Sequence, residues 1–235
     1  MPLHVHSIFR SISGEVGAIP QGGMCIFIRM QGCNLRCEYC DAPEAQNWGR
    51  ADTATDVESL IQTWIELSGR SSRLPVVITG GEPLTQPQFL LAALVEGFLR
   101  YGAPVVQIET NGTCSPAEFL EELNPTFHSR VNFVIDFKLP GSGGHSDPAA
   151  FTNLPAGSWI KFVANAPADL IYTMTLLREW LAADPTVLSR TRIAIGQTEN
   201  LPKNFLSHWF LENWQDLAPF HAVLNVQIHK LLDME

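Results

Sequence analysis

The sequence predicts an α/β fold in which parallel strands alternate with helices and close, fully or partly, into a barrel. Apolar segments with the β-branched and aromatic content of buried strands alternate with segments whose apolar residues recur at helical spacing. Polar motifs follow several of these strands, as expected for the active face of a barrel. The 235 residues contain no internal repeat and no linker-like stretch, so we expect a single domain over residues 1–235.

The strands are predicted one after another along the chain. A short strand opens it, a turn-rich loop follows from Gly14 to Gly23, and each later strand is a short apolar run. These later strands are predicted at 24–30, 75–79, 105–109, 133–137, 159–163, 192–195 and 224–228.

Helices are predicted between the strands. Apolar residues at helical spacing predict a helix over about 55–67, behind a capping box that begins at Thr55. Ser115 and Pro116 are typical of an N-cap and a first-turn proline, and so indicate the start of another helix. Further helices are predicted around 91–98, 169–183 and 205–217. This alternation favours parallel strands joined by right-handed crossovers.

Charge and terminal sequence restrict the class of partner. The formal net charge of −9 would repel a nucleic-acid backbone, which favours a small-molecule substrate. The first residues lack the pattern of a signal peptide, and no apolar run approaches the ~18 residues of a membrane span. We therefore expect a cytoplasmic protein, in which five cysteines are read as metal ligands before disulfides.

Three of these cysteines, Cys33, Cys37 and Cys40, have the spacing CxxxCxxC within a loop predicted at about 31–50. A loop can wrap three thiolates around one iron–sulfur cluster and leave one iron without a cysteine. An open metal position allows a chelating cofactor to bind. The alternative is a zinc or closed cluster site with Cys25 or Cys114 as fourth ligand. Cys25 lies in an apolar strand and Cys114 follows a turn, so both are left out of the predicted site.

The motif with Tyr39 before its last cysteine resembles that of the radical S-adenosylmethionine superfamily. Thr79-Gly80-Gly81-Glu82-Pro83 resembles the glycine-rich segment of the same superfamily, which binds the methionyl amino group of the cofactor. The resemblance implies a 4Fe–4S cluster with three cysteine ligands and bound S-adenosylmethionine.

A narrower resemblance covers nearly the whole chain. Several blocks together are similar to the 7-carboxy-7-deazaguanine synthase family: residues 8–15, 27–29, 33–41, 80–86, 108–113 and 226–230. The resemblance implies a single-domain, incomplete TIM-like (β/α) barrel that acts as a homodimer with an external reductant such as flavodoxin or ferredoxin. It also implies the radical ring contraction of 6-carboxy-5,6,7,8-tetrahydropterin to 7-carboxy-7-deazaguanine, with loss of ammonia, on the route to queuosine.

The same resemblance implies two sets of binding residues. The residues implied for the cofactor are Tyr39, Asp41, Gly80, Gly81, Glu82, Asp136, Lys138 and Gln197. The residues implied for the substrate are Ile12, Ser13, Gly14, Glu15, Arg29, Thr79, Gln227 and His229. Among these, Glu15 is expected at the pterin ring and Arg29 at its carboxylate, because a guanidinium fork matches a carboxylate.

Two positions depart from the family pattern. Ser13 replaces a glutamine and is too short to make the same hydrogen bonds without water. Ala42 replaces a threonine or serine whose hydroxyl helps to coordinate Mg²⁺, and a methyl group cannot do so. Whether this chain uses Mg²⁺ is therefore an open question at the level of sequence.

Two other functions are compatible with parts of the sequence. Glycyl-radical activating enzymes also carry CxxxCxxC and Gly-Gly-Glu, but the Ser-Gly-Glu and Gln-Ile-His-Lys blocks argue against that function. A non-catalytic iron- or zinc-binding module is the alternative from a different class.

Overall fold

The computed structural model describes residues 2–48, 53–69, 73–151, 154–186 and 190–233. Residues 49 and 50, which belong to the predicted cysteine loop, lie outside these ranges. No helix among the described residues is both long and apolar enough to cross a membrane.

The described strands form one sheet. They are β1 (Leu3–Ile12), β2 (Met24–Met30), β3 (Ala54–Thr55), β4 (Val76–Gly80), β5 (Val106–Thr110), β6 (Val131–Phe137), β7 (Trp159–Ala164), β8 (Arg192–Gln197) and β9 (Val223–Leu224). Their order across the sheet is β3-β1-β2-β4-β5-β6-β7-β8-β9. Strand β1 is antiparallel to its two neighbours, whereas all pairs from β2 to β9 are parallel. In the described ranges β3 and β9 are the two ends of this order, so the sheet is an incomplete barrel, as predicted.

The helices are α1 (Val57–Ser68), α2 (Gln88–Arg100), α3 (Pro116–Glu122), α4 (Pro167–Ala183), α5 (Phe205–Glu212), α6 (Trp214–Leu217) and α7 (Ile228–Leu231). The start of α3 is as predicted, because the Ser115 hydroxyl accepts from the N–H of Glu118 at 3.3 Å and Pro116 opens the helix. The prediction that Thr55 begins a capping box is wrong. Thr55 belongs to β3, and Asp56 caps α1 by accepting from the N–H of Ser59 at 2.8 Å.

Two predicted elements near the C-terminal end differ from the structure. The helix predicted over 205–217 is divided at Asn213, whose backbone and side-chain N–H groups both donate to the Trp209 carbonyl. The strand predicted over 224–228 ends at Leu224, and α7 follows from Ile228. The backbone N–H of Asn225 still donates to Ile195 O of β8 at 2.8 Å, while its side-chain oxygen accepts from the N–H of Val16 at 3.1 Å.

Alternation along the strands separates the hydrophobic core from the polar interior. Phe137 and Phe162 point outward and pack on Trp180 of α4, with ring centroids 5.9 and 6.2 Å away. Burial of each such side chain contributes roughly 1.5–3 kcal/mol. Their strand neighbours Asp136 and Lys161 therefore point to the opposite side, into the barrel.

Candidate active site

A cavity of about 780 Å³ lies at the edge of the sheet where the parallel strands end. Its wall is formed by the ends of β2 and β4 to β7, by the loop after β2, and by residues from both ends of the described chain. In an α/β barrel this edge carries the functional groups, because the loops after the strands converge there.

The loop after β2 folds back on itself. Backbone N–H groups of residues 32–33 donate to carbonyls of residues 45–46 at 2.7 and 3.0 Å. The chain between these contacts carries Cys33, Cys37 and Cys40, and all three line the cavity. One short loop therefore presents three thiols to one cavity.

The sulfur of Cys33 receives two hydrogen bonds from neighbouring groups. It accepts a hydrogen bond from the backbone N–H of Leu35 at 3.4 Å and another from Nδ2 of Asn111 at 3.8 Å. Such contacts tune iron–sulfur clusters. Among the described residues, no three His, Cys, Asp or Glu side chains converge on one point. A 4Fe–4S cluster does not require this, because each thiolate binds a different iron. The donor set of this loop fits such a cluster.

The other two cysteines do not line the cavity. Cys25 is fully buried in β2 beside Ile19 and Val77, and burial raises its pKa to about 12. Cys114 packs against the hydrophobic core. Their positions agree with their omission from the predicted ligand set.

The glycine-rich segment after β4 packs directly on the cysteine loop. The N–H of Gly81 donates to Met30 O and the N–H of Glu82 to Gly32 O, both at 2.8 Å. A Cβ atom on Gly81 would lie 2.0 Å from the Gly32 carbonyl oxygen. Only glycine permits this approach, so the segment and the loop hold each other in place.

Glu82 was predicted to bind the cofactor, but its carboxylate does not line the cavity. The side chain is fully buried and accepts from Leu84 N at 3.0 Å, Thr110 Oγ1 at 2.7 Å and Asn111 N at 2.6 Å. Burial raises the pKa of this carboxyl, which the three hydrogen bonds partly offset. Glu82 therefore joins the end of β4 to the end of β5.

Most other residues predicted for the cofactor line the cavity: Tyr39, Asp41, Gly80, Gly81, Asp136 and Lys138. Gln197 does not, because its amide is used elsewhere. Nε2 donates to the carbonyls of Leu201 and Pro202 at 3.2 and 2.9 Å, and Oε1 accepts from Leu206 N at 2.8 Å. Gln197 thus fixes the start of α5 to the end of β8.

Most residues predicted for the substrate also line the cavity: Ile12, Gly14, Glu15, Arg29, Thr79, Gln227 and His229. Ser13 does not. It is 2% exposed, and its hydroxyl donates to the carbonyl of Glu15 at 3.3 Å. Arg29 and Thr79 are paired across β2 and β4, and the Arg29 guanidinium lies 4.9 Å from the ring centroid of Phe9.

Lys161, in β7, lies at the centre of a buried charge network that the sequence analysis missed. Its Nζ forms ion pairs with Glu15 and, at 3.0 Å, with Oδ1 of Asp136. Oδ2 of Asp136 pairs with Nζ of Lys138, also at 3.0 Å. The available signal was a single lysine within the apolar run 159–163.

Glu109, at the end of β5, also lines the cavity, although no role was predicted for it. Its carboxylate accepts from Thr79 Oγ1 at 3.1 Å and from Gln107 Nε2 at 3.0 Å. Burial raises its pKa to about 7, although the charge of Lys161 acts in the opposite direction. Glu109 is therefore a cavity carboxyl whose protonated form is favoured by burial.

The segment 225–230 connects the two sides of the cavity. Nε2 of Gln227 donates to Glu15 Oε1 at 2.5 Å and to Asp41 Oδ2 at 3.4 Å. Nζ of Lys230 lies 2.6 Å from Asp41 Oδ1. Asp41 follows the last cysteine directly, so this segment reaches from the cysteine loop to Glu15.

His229 is held by a close approach to Gly14. A Cβ on Gly14 would lie 2.0 Å from Nδ1 of His229, and Gly14 O accepts from the N–H of Ile228 at 3.0 Å. Burial lowers the pKa of His229, although Glu15 and Asp41 act in the opposite direction.

Comparisons of the sequence and of the structure identify the known proteins to which this chain is similar. A profile of the Radical SAM superfamily matches residues 27–136. The chain is 30% identical over 239 residues to the 7-carboxy-7-deazaguanine synthase of Chlorobaculum tepidum, covering 98% of this chain and 94% of that protein. It is 34% identical over 172 residues to the one from Methanospirillum hungatei, covering 72% and 64%. The crystal structure of QueE from Escherichia coli has the same fold, with a TM-score of 0.67, 23% identity and coverage of 97% and 94%.

Proposed function

Because the chain belongs to the 7-carboxy-7-deazaguanine synthase family, we propose that it converts 6-carboxy-5,6,7,8-tetrahydropterin to 7-carboxy-7-deazaguanine and ammonia, in the biosynthesis of queuosine. One observation of the structure carries the proposal. The three thiols of the cysteine loop share a cavity with the buried polar groups around Glu15. A reaction that an iron–sulfur cluster starts on a polar heterocycle requires the cluster ligands and the substrate-binding groups to face one cavity.

The family implies a 4Fe–4S cluster and S-adenosylmethionine. When bound, this pair supplies the one-electron chemistry that starts the ring contraction. The proposed cluster ligands are Cys33, Cys37 and Cys40. The proposed cofactor contacts are Tyr39, Asp41, Gly80, Gly81, Asp136 and Lys138, because each of them lines the cavity.

The substrate side is proposed to begin at Glu15. Its carboxylate would accept from the amide and amino edge of the pterin, and Arg29 would bind the pterin carboxylate. Thr79 lies beside Arg29 across the strand pair, and Gln227 and His229 close the cavity from the other side.

Glu109 is proposed to exchange a proton with the substrate. Loss of ammonia and aromatisation of the new ring both move protons, so the cavity needs a group that titrates near neutral pH. Glu109 meets this requirement because burial raises its pKa to about 7. Its bond to Thr79 directs the carboxyl toward the substrate side.

The electron is proposed to come from a flavodoxin or ferredoxin, and the chain is proposed to act as a homodimer.

The need for Mg²⁺ is proposed to be weak. Ala42 lines the cavity beside Asp41, and its side chain offers Mg²⁺ no ligand. The cytoplasmic location stays a prediction.

Anaerobic turnover tests the proposal. The reconstituted protein is incubated with the tetrahydropterin acid, S-adenosylmethionine and reductant, with and without Mg²⁺. We expect 7-carboxy-7-deazaguanine and ammonia in equal amounts. Cleavage of S-adenosylmethionine without formation of the deazaguanine acid would contradict the proposed substrate, and failure to cleave it would contradict the enzyme class.

A further inference from the structure

Lys161 is the one member of the buried charge network that has no part in the proposed function. Its side chain is 7% exposed, which is rare for a lysine. It lies on β7 between Ile160 and Phe162, which are fully buried in the hydrophobic core. A charged group in this position is costly unless its partners recover the desolvation penalty.

The partners of Lys161 come from two distant parts of the chain. Asp136 lies directly beside it in the register of β6 and β7, and Oδ1 is 3.0 Å from the ammonium. Glu15 comes from the loop after β1. On the other neighbouring strand the residue in register is Ala194, which offers no charge. The ammonium is thus directed to these two carboxylates.

The contacts of Glu15 leave its carboxylate little freedom. Oε2 receives the ammonium of Lys161 and Nδ2 of Asn225 at 3.3 Å, while Oε1 receives Nε2 of Gln227 at 2.5 Å. Both oxygens are therefore held from different directions, which fixes the plane of the carboxylate.

Lys161 also keeps Glu15 ionised. Burial alone raises the pKa of Glu15, but the charge and hydrogen bond of Lys161, with help from Gln227, bring that pKa below its ordinary value. The pKa of Lys161 itself stays well above its ordinary value, despite burial, because of Asp136 and Glu15. Both shifts favour the charged forms of the pair.

The opposite side of the network reaches the cofactor region. Asp136 Oδ2 pairs with Nζ of Lys138 at 3.0 Å, and Lys138 lines the cavity with Tyr39 and Cys37. Lys161 is thus the common partner of a carboxylate on the substrate side and an ion pair on the cofactor side.

We propose that Lys161 is a positioning residue, which holds Glu15 in the orientation that receives the pterin and ties that orientation to Asp136 and Lys138. The proposal rests on the proposed function, because it identifies Glu15 as a substrate contact. A positioning role differs from a purely structural role because removal of Lys161 then changes pterin binding through its effect on Glu15.

The experiment compares Lys161→Met, Glu15→Gln and the double variant. Binding of 6-carboxy-5,6,7,8-tetrahydropterin is measured by anaerobic calorimetry on the cluster-loaded protein, independently of turnover. Each single variant is expected to weaken binding about tenfold to a hundredfold, as the loss of a charged hydrogen bond does. The double variant is expected to lie within about twofold of Glu15→Gln, because the two changes remove one interaction. If the fold-losses of pterin affinity in the two single variants multiply in the double variant, the proposal is overturned.

A second readout is the amount of 5'-deoxyadenosine formed per deazaguanine product. We expect this ratio to rise in Lys161→Met, because cofactor cleavage continues while the pterin is misplaced, and to return toward the wild-type value in Lys161→Arg. The matched control is Arg178→Met, which breaks an exposed pair with Asp216, 3.3 Å long. It should change neither pterin affinity nor the ratio.

The outcomes separate this proposal from the proposed function. A wild-type protein that neither binds nor converts the pterin contradicts the proposed function. A wild-type protein that does both, with pterin affinity and product ratio unchanged in Lys161→Met, contradicts the role of Lys161. If Lys161→Met does not fold, the comparison of Lys161→Arg with the double variant decides. The role is supported if Lys161→Arg binds the pterin as the wild type does and the double variant binds it as Glu15→Gln does. Any other result overturns it.

Discussion

Glu109 and Lys161 show how burial acts on two side chains in one cavity. Burial favours the neutral form of both groups. The pKa of Glu109 rises to about 7, because its hydrogen bonds do not offset desolvation. Lys161 stays charged, because two carboxylates contact it. Burial therefore favours the neutral form of Glu109, whereas the carboxylates around Lys161 keep it charged.

The pKa of Glu109 predicts a pH dependence of stability. Between its ordinary value of 4.5 and about 7, the folded state holds a proton that the unfolded state has released. The free energy of unfolding should therefore fall as pH rises through this window, by roughly 2–3 kcal/mol. Glu109→Gln should remove this fall, measured by denaturation at about pH 5 and about pH 8.

The control for this prediction is Glu121→Gln, on the exposed side of α3. It should keep the wild-type difference between the two pH values. A Glu109→Gln protein with the same difference would show that Glu109 does not titrate in this range.

Ala42 predicts a weak need for Mg²⁺. In Ala42→Thr a hydroxyl is added beside Asp41 at the cavity wall, where it can bind a hydrated Mg²⁺ ion. The Mg²⁺ concentration for half-maximal turnover should therefore fall. Ala42→Val, which has the same shape without the hydroxyl, is the control. Equal Mg²⁺ dependence in the two variants would contradict the prediction.

At the level of residues, the sequence was informative where a motif is local. Cys33, Cys37 and Cys40 could be grouped because one loop carries them, and the structure places them in one cavity. Lys161 could not be found in this way, because its partner Glu15 is distant in sequence. Glu82 and Gln197 resembled cavity residues, but internal hydrogen bonds use their polar atoms.

At the level of elements, the contact between the glycine-rich segment and the cysteine loop controls loop placement. In Gly81→Ala a methyl group is added 2.0 Å from the Gly32 carbonyl oxygen, so the two segments must separate. We expect a loss of most bound iron after anaerobic reconstitution, measured as iron per chain.

Gly69→Ala is the matched control for Gly81→Ala. Gly69 has a φ of +87°, so alanine there is strained, but a Cβ at this position meets no atom of the described residues within 4 Å. It should lower stability by about 1 kcal/mol and leave iron content unchanged. Iron loss in both variants would show that general destabilisation is the cause.

Helices and strands could be predicted from the sequence where a local pattern, such as apolar periodicity or a helix N-cap, determines the element. Apolar periodicity gave α1, and Ser115 with Pro116 gave the start of α3. The segment 224–228 has the composition of a strand, but its residues also bond to the loop after β1, where Asn225 Oδ1 accepts from Val16 N and Ile228 N donates to Gly14 O. Such a distant contact is absent from any local pattern.

At the level of the whole molecule, the segment 225–230 spans the opening between β9 and the loop after β1. Asn225 accepts from Val16 N at 3.1 Å and donates to Glu15, and Ile228 N donates to Gly14 O. The incomplete barrel is thus closed by side chains and loops rather than by strand pairing.

Asn225→Ala tests this closure. Asn225 is 5% exposed, so its loss leaves a buried N–H unpaired and should cost about 1–3 kcal/mol of unfolding free energy. It should also raise the KM for the pterin, because Glu15 loses a donor. Asn204→Ala, at an exposed position with no capping hydrogen bond, is the control and should change neither. Unchanged stability and KM in Asn225→Ala would contradict the closing role of this segment.

The position of that segment in the chain also sets an order of maturation. On a ribosome the thiols emerge almost two hundred residues before residues 225–230, an interval of roughly 10–40 s at usual rates of synthesis. During this time the nascent chain lacks the contacts of Gln227 and Lys230 with Asp41, which directly follows the last cysteine. Delivery of iron and sulfide can thus precede the folding step that completes the cavity wall.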